Sequence, residues 1–97
     1  MEIEFLPLGR DDFEAILSFV AEDNLSASLR LAEQFERAFE HLSTYPLLGR
    51  IYAKEPFQKA GYRILSLSSF TIFYTIDSDI IIIHRILHQA RDAKELL

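Results

Sequence analysis

Two histidines near the C-terminus have the residue type and spacing that could serve chemistry. His84 and His88 lie four residues apart in an apolar stretch with the composition of a β-strand. Alternate residues of a strand share a face, so the two imidazoles would lie about 13 Å apart on one side. Because metal–nitrogen bonds are ~2.0–2.1 Å long, the two rings cannot hold one metal ion. We therefore predict no metal site, interpret His84 as a packed sheet residue, and keep His88 as a partner-binding candidate.

Arg85, between these histidines, is predicted to lie on the opposite face of the strand, with Ile81, Ile83 and Leu87. A charged side chain among apolar neighbours needs a partner or a route to water. An ion pair with an acidic residue of the N-terminal half is the expected solution. Arg85 is also kept as a partner-binding candidate.

Four basic residues in the middle of the chain could form a binding surface: Arg50, Lys54, Lys59 and Arg63. One interpretation is a solvated loop. The other is a basic patch for RNA phosphate or for an acidic protein surface. Arg63 is the best placed, because it is predicted to lie on a strand, which holds side chains more rigidly than a loop does.

Three acidic residues could suggest paired carboxylates for acid–base catalysis: Asp11, Asp12 and Glu14. They would fall in the first turn of a predicted helix, where negative charge suits the helix dipole. The sequence has no nucleophile elbow and no glycine-rich phosphate loop. With no cysteine, disulfides and thiolate metal sites are excluded. We expect no cofactor and no self-contained small-molecule active site.

The N-terminal half is predicted to form a strand and two helices. Residues 2–6 alternate apolar and charged side chains, which is typical of a short strand. Pro7 and Gly9 are predicted to break it, and a helix with one apolar stripe is predicted from Asp11. Asn24 has the short polar side chain of an N-cap for a second helix, which we expect to pack as an antiparallel hairpin with the first.

The C-terminal half is predicted to be a loop followed by three strands. The second helix continues to about Tyr45, and Pro46 ends it. A loop is predicted at 46–60, strands at 61–67, 70–76 and 80–88, and a last helical turn at 91–97. The order β-α-α-β-β-β predicts one α+β domain over residues 1–97, with the helix hairpin on one face of an antiparallel sheet. The other face would be partly open and would call for a partner.

Length and charge narrow the function classes. The 97 residues suit one domain, and the net charge of −5 divides into −7 for residues 1–44 and +2 for residues 45–97. A uniform coat of nucleic acid is disfavoured, but a local basic face in the second half is not. The first residues lack the pattern of a signal peptide, and the longest apolar run, residues 80–83, is far short of the ~20 needed to span a membrane. We expect a cytoplasmic protein with no membrane partner.

Five segments occur in an order that is more specific than any one of them. They are PLLGR at 46–50, GYRIL at 61–65, FTIFYTI at 70–76, IIII at 80–83 and RILHQARD at 85–92. On the β-α-α-β-β-β plan, this order resembles the RelE/ParE family of toxins from type II toxin–antitoxin systems. The ending ILHQARD is more similar to the ParE branch.

The resemblance implies a toxin held inactive by a cognate antitoxin, whose C-terminal segment wraps the toxin's helices and sheet. RelE-like members cut mRNA on the ribosome, with several basic residues on the sheet and a Tyr or His near the C-terminus. ParE-like members inhibit DNA gyrase. Arg63 matches one of the nuclease bases, whereas Leu65, Thr71 and Ala90 stand where other bases are expected.

We therefore hypothesise a ParE-like toxin that inhibits DNA gyrase. The partner-binding candidates are Arg50, Arg63, Arg85, His88 and Arg91. One alternative is a RelE-like, ribosome-dependent mRNA endonuclease that uses Arg63, His88 and Arg91. Another is an inactive homologue that acts only as a binding module, which the acidic balance would fit. In each case we expect the antitoxin on the open sheet face and the helix hairpin.

Overall fold

The computed structural model describes residues 1–89, which form two helices and a five-stranded sheet. The elements are β1 (Glu2–Phe5), α1 (Pro7–Asp23), α2 (Leu25–Thr44), β2 (Arg50–Ile51), β3 (Arg63–Leu67), β4 (Phe70–Asp77) and β5 (Ile80–His88). The strand order is β1-β5-β4-β3-β2, with β1 parallel to β5 and every other pair antiparallel.

The α+β class and the antiparallel meander are confirmed. The sheet is larger than the meander because β1 and β2 join its two edges. The helical turn predicted at 91–97 lies outside the described residues.

Helix α1 begins four residues earlier than predicted. Pro7 is its first residue, a position where the missing N–H of proline removes no hydrogen bond. Gly9 lets the helix pass close to β5: a Cβ there would lie 2.8 Å from the carbonyl oxygen of Ile83 and 2.9 Å from that of His84. The two residues interpreted as strand breakers are therefore the start of the helix. Asp11 and its neighbours fall outside the first turn, so their interpretation as dipole partners is wrong.

The helix hairpin is joined as the sequence predicts. The Oδ1 atom of Asn24 accepts a hydrogen bond from the backbone N–H of Ala27 at 3.0 Å, which confirms the N-cap. The buried Ser28 hydroxyl donates to the carbonyl oxygen of Leu17 at 2.7 Å and ties α2 to α1. Together the helices cover one face of the sheet, here called the helix-covered face. Its fully buried side chains are Phe35, Leu42, Ile72, Tyr74, Ile81, Ile83 and Ile86.

A β-bulge in β5 interrupts the alternation of its faces. Phe73 of β4 pairs with Arg85, but the next residue, Tyr74, pairs with Ile83, so His84 is the extra residue. An inserted residue of this kind shifts all following side chains by one position relative to strict alternation.

Two predictions about faces are wrong because of this bulge. Ile81 and Ile83 pack in the helix-covered core, whereas Arg85 pairs with a residue of the reverse face, the side of the sheet away from the helices. His84 and His88 do not share a face either. His84 contacts a tyrosine of the reverse face, whereas His88 lies beside the helices.

The reverse face is partly covered by the chain itself. Residues 52–62 fold over it, and Tyr52, Phe57 and Tyr62 pack against one another and against Phe73. Phe57 is buried there, and Ile64 lies in the cluster below. The loop predicted at 46–60 therefore contains one short strand, β2, and the face predicted to be partly open is covered in part by the chain's own residues.

Arg85 forms the expected ion pair with the helical half. Its Nε and Nη2 atoms donate to the two carboxylate oxygens of Asp12 at 2.7 and 3.0 Å. The same carboxylate accepts the backbone N–H of Ile86 at 3.0 Å. Both side chains are about 15% exposed. Asp12 therefore neutralises a mostly buried cation. It also gives a hydrogen-bond acceptor to a backbone N–H at the edge of β5, where α1 crosses the strand.

The hydroxyl of Tyr74 holds the segment that follows α2. It accepts the N–H of Gly49 and donates to the carbonyl oxygen of Pro46, both at 2.8 Å. Arg63 Nη1 donates to the Gly49 carbonyl oxygen at 2.7 Å. Burial raises the pKa of Tyr74, and the Gly49 N–H and the Arg63 charge offset part of that rise. A Cβ at Gly49 would lie 2.6 Å from the Tyr74 hydroxyl, so only glycine fits.

Replacing Tyr74 by Phe should lower the free energy of unfolding by about 1–3 kcal/mol, because the N–H of Gly49 and the carbonyl of Pro46 lose their partner. Urea denaturation measures this change. Tyr45→Phe is the matched control, since Tyr45 is exposed and should change stability by less than about 0.5 kcal/mol. Equal stability of the two variants would contradict the role given to the Tyr74 hydroxyl.

Replacing Asp12 by Asn should also destabilise the fold, by about 1–3 kcal/mol, because a mostly buried arginine loses its counter-charge. Thermal unfolding should show a lower Tm for Asp12→Asn than for Asp11→Asn, which changes an exposed neighbour on the same helix. If both variants melt at the wild-type temperature, the carboxylate is not stabilising the contact between α1 and β5.

Candidate functional site

A groove opens where β5 loses its neighbouring strand. β1 pairs only with Ile80–Ile83, and the chain then enters α1 through Leu6, whose N–H donates to the Ile83 carbonyl oxygen at 3.0 Å. Within residues 1–89, no strand pairs with this side of β5 beyond Ile83. The space between this part of the sheet and the helix hairpin is a groove of about 830 Å³.

The groove has apolar walls with polar groups beside them. Its apolar lining includes Phe19, which is 73% exposed, and the adjacent Val20. Arg30 and Gln34 of α2 and His88 of β5 supply polar groups. A large exposed aromatic side chain next to charged and amide groups is typical of a surface that binds a protein segment.

The groove does not have the features of a metal centre. Among the described residues, no group of three histidine, cysteine or acidic side chains could hold a metal ion. The same part of the chain has no helix long and apolar enough to cross a membrane.

The four sequence-predicted partner-binding residues that the structure describes do not form one surface. His88 lines the groove, and its ring lies 5.8 Å from that of Phe70. Arg85 is engaged by Asp12, and Arg63 binds the Gly49 carbonyl. Arg50 is exposed on the edge strand β2, and Arg91 lies outside the described residues.

The two described nuclease candidates lie far apart. Arg63 pairs with Tyr74 and His88 pairs with Phe70, so four residues of β4 separate their positions along the sheet. At ~3.3 Å per residue this is about 13 Å, with two strand spacings across the sheet in addition. A base and a phosphate-binding cation must both reach one ribose–phosphate unit. The positions of Arg63 and His88 disfavour that arrangement.

A polar cluster on the reverse face was not predicted from the sequence. His84 Nδ1 lies 3.1 Å from the Tyr62 hydroxyl, and His84 Nε2 lies 2.8 Å from Thr75 Oγ1. Burial lowers the pKa of His84 and raises that of Tyr62, so both side chains are neutral at pH 7. The cluster fastens residues 52–62 to the sheet, in agreement with the packed-histidine interpretation of His84.

The groove was also missed, although one sequence signal points to it. The predicted apolar stripe of α1 contains Phe13, Ile16, Leu17 and Val20, and Phe19 lies off that stripe. An aromatic residue outside the core stripe of an amphipathic helix indicates a second contact surface. The opposite wall of the groove, on β5, could not be found from the sequence in this way. Its position depends on where β1 stops pairing with β5.

Solved structures that share this fold include two from toxin–antitoxin systems. One is the chromosomal ParDE toxin–antitoxin system from P. aeruginosa, with 19% sequence identity, a TM-score of 0.71, and coverage of 91% of this chain and 95% of that chain. The other is the toxin–antitoxin complex RelBE2 from Mycobacterium tuberculosis, with 23% identity, a TM-score of 0.62, and coverage of 90% and 95%. No curated protein sequence matches the chain.

The family model for the ParE toxin of the type II toxin–antitoxin system parDE matches residues 3–93. The match spans both helices and all five strands of the sheet described above. The chain therefore belongs to the ParE toxin family of type II toxin–antitoxin systems.

Proposed function

We propose that this protein is a toxin that inhibits DNA gyrase by binding to it, and that a cognate antitoxin neutralises it by occupying the groove. The observation that supports gyrase over mRNA is the separation of the two nuclease candidates within residues 1–89. Arg63 and His88 lie on different strands, about 13 Å apart along the sheet, and Arg63 is already bound to a backbone carbonyl. A function that depends on binding does not need these groups to converge.

The groove supports the antitoxin part of the proposal. Both similar structures are of toxin–antitoxin systems. In this chain, Phe19 and Val20 offer apolar contact, and Arg30 and His88 offer polar contact, along one continuous groove. An amphipathic segment fits such a surface, with its apolar side chains against α1 and an acidic side chain beside Arg30. Such segments are commonly disordered alone and fold on binding.

Phe19→Glu should weaken antitoxin binding by about 30-fold or more, because an exposed aromatic contact is replaced by a charge that must be desolvated. The measurement is co-expression with the cognate antitoxin, co-purification, and titration of the separated proteins. Leu25→Glu is the matched control, since Leu25 is 64% exposed at the start of α2 and does not line the groove. Undiminished binding by Phe19→Glu would place the antitoxin elsewhere.

Purified protein, freed of antitoxin, should slow the supercoiling of plasmid DNA by gyrase, and added antitoxin should restore the rate. A matched toeprint assay on translating ribosomes should give no new cleavage in the A-site codon. Cleavage without an effect on gyrase would replace the proposal by the RelE-like endonuclease. No effect in either assay at micromolar excess would favour an inactive homologue that only binds.

A further inference from the structure

Residues 52–62 cover only part of the reverse face. Their tyrosines pack on the cluster of Ile64, Phe73 and Leu87. The strand register defines a second part of this face, in two rows across β1, β5 and β4. One row is Glu2, Ile80 and Asp77, and the other is Glu4, Ile82 and Thr75. All six alternate along their strands with residues of the helix-covered core, so their side chains lie on the reverse face. We call these six side chains the acidic patch.

The acidic patch combines negative charge with apolar surface. Its three carboxylate side chains are exposed, and its two isoleucines are partly exposed. No basic residue is among the six, so the patch has a charge of −3. A cavity of about 240 Å³ adjoins the patch, since its lining includes Leu6, which follows β1, and His84, whose ring bonds Thr75. Such a surface suits a basic protein partner that can also offer apolar contact.

The other part of the reverse face is raised and basic. Residues 52–62 form a layer above the sheet there. Arg50 lies beside them on the same face, because it pairs with Ile64 of the reverse-face cluster. The exposed basic residues of this part are Arg50, Lys54 and Lys59. Residues 50–62 hold these three and one acidic residue, a charge of +2. We call Arg50 and residues 52–62 the basic cover.

The two charged parts lie toward opposite edges of one face. Glu4 on β1 and Arg50 on β2 are four strand spacings, about 19 Å, apart across the sheet. A nucleic acid would be attracted by the basic cover and repelled by the acidic patch. A protein with the same two parts in reversed order matches both at once. A second copy of this chain has that pattern when a two-fold axis passes between patch and cover.

We propose that this protein forms a two-fold symmetric dimer through its reverse face, in which the basic cover of each copy packs on the acidic patch of the other. The raised layer of one copy then lies over the part of the sheet that the other leaves uncovered, and opposite charges meet at both contacts. The groove borders the helix hairpin on the other side of the sheet, so the dimer leaves both grooves open.

Sedimentation velocity of the purified full chain, freed of antitoxin, tests this dimer. The wild type should be a dimer at micromolar concentration, and its dissociation constant should rise with salt, which screens the attraction. Glu2→Lys combined with Glu4→Lys makes patch and cover both basic, and should raise the dissociation constant by about 10-fold or more. Arg50→Glu combined with Lys59→Glu makes both acidic, and should weaken the dimer to a similar extent.

Mixing the two double variants gives the sharper test. Each variant alone repels its own copies, but the basic patch of one faces the acidic cover of the other, and the reverse holds at the second contact. An equimolar mixture should therefore form a heterodimer. Glu36→Lys combined with Glu40→Lys is the matched control, since it makes the same change of charge at exposed positions of α2 and should leave dimerisation unchanged. All three variants should melt as the wild type does, because the replaced side chains are exposed.

Three results would overturn the dimer. The first is a wild type that stays monomeric at micromolar concentration. The second is a pair of double variants that dimerise as well as the wild type, because the dimer would then use another surface. The third is a mixture of the variants that stays monomeric. Gyrase inhibition and antitoxin binding are measured separately, so none of these results decides the proposed function.

Discussion

The parallel pairing of β1 with β5 stops at Ile83, and much of the molecule follows from that point. There Leu6 donates its N–H to the Ile83 carbonyl and the chain turns into α1. Gly9 lets the helix pass against the β5 backbone, and Asp12 takes over the role of the missing strand by accepting the Ile86 N–H. A helix rather than a strand then borders the rest of β5. Because a helix cannot continue the ladder of backbone hydrogen bonds, a groove remains beside it.

Charge and apolar exposure are distributed unevenly around this frame. The acidic excess belongs to the β1–α2 half, and the basic residues gather between the end of α2 and the start of β3. Exposed apolar side chains occur in both halves, with Phe19 in the groove and Leu47 in the segment after α2. A local basic stretch in an acidic protein attracts acidic protein surfaces and phosphate groups alike. The net charge of the chain alone would hide that stretch.

Residue types predicted the elements well wherever a short-range signal existed. Asn24 marks the N-cap of α2, and the polar residues at 68–69 and 77–79 predict the breaks between the last three strands to within one residue, since Asp77 still belongs to β4. The ion pair of Arg85 with an acid of the helical half was also predictable, because a cation on a packed strand needs one. The start of α1 was misjudged because proline and glycine were interpreted as breakers. In the fold, Pro7 is the first residue of α1, and Gly9 gives α1 the space to cross close to β5.

The sequence by itself determined the elements, their order, the α+β class and the family resemblance, since these depend on periodicity, capping and turn residues close together in the chain. Only the tertiary structure decided how the candidate residues are grouped. One extra residue at His84 moves Arg85 to the reverse face, and the fold-back of residues 52–62 decides which part of the partly open face is covered. The position of the groove likewise depends on where β1, nearly eighty residues away in sequence, stops pairing with β5. A register shift and a long-range strand end leave no local pattern in the chain, because neither depends on the neighbours that a sequence window contains.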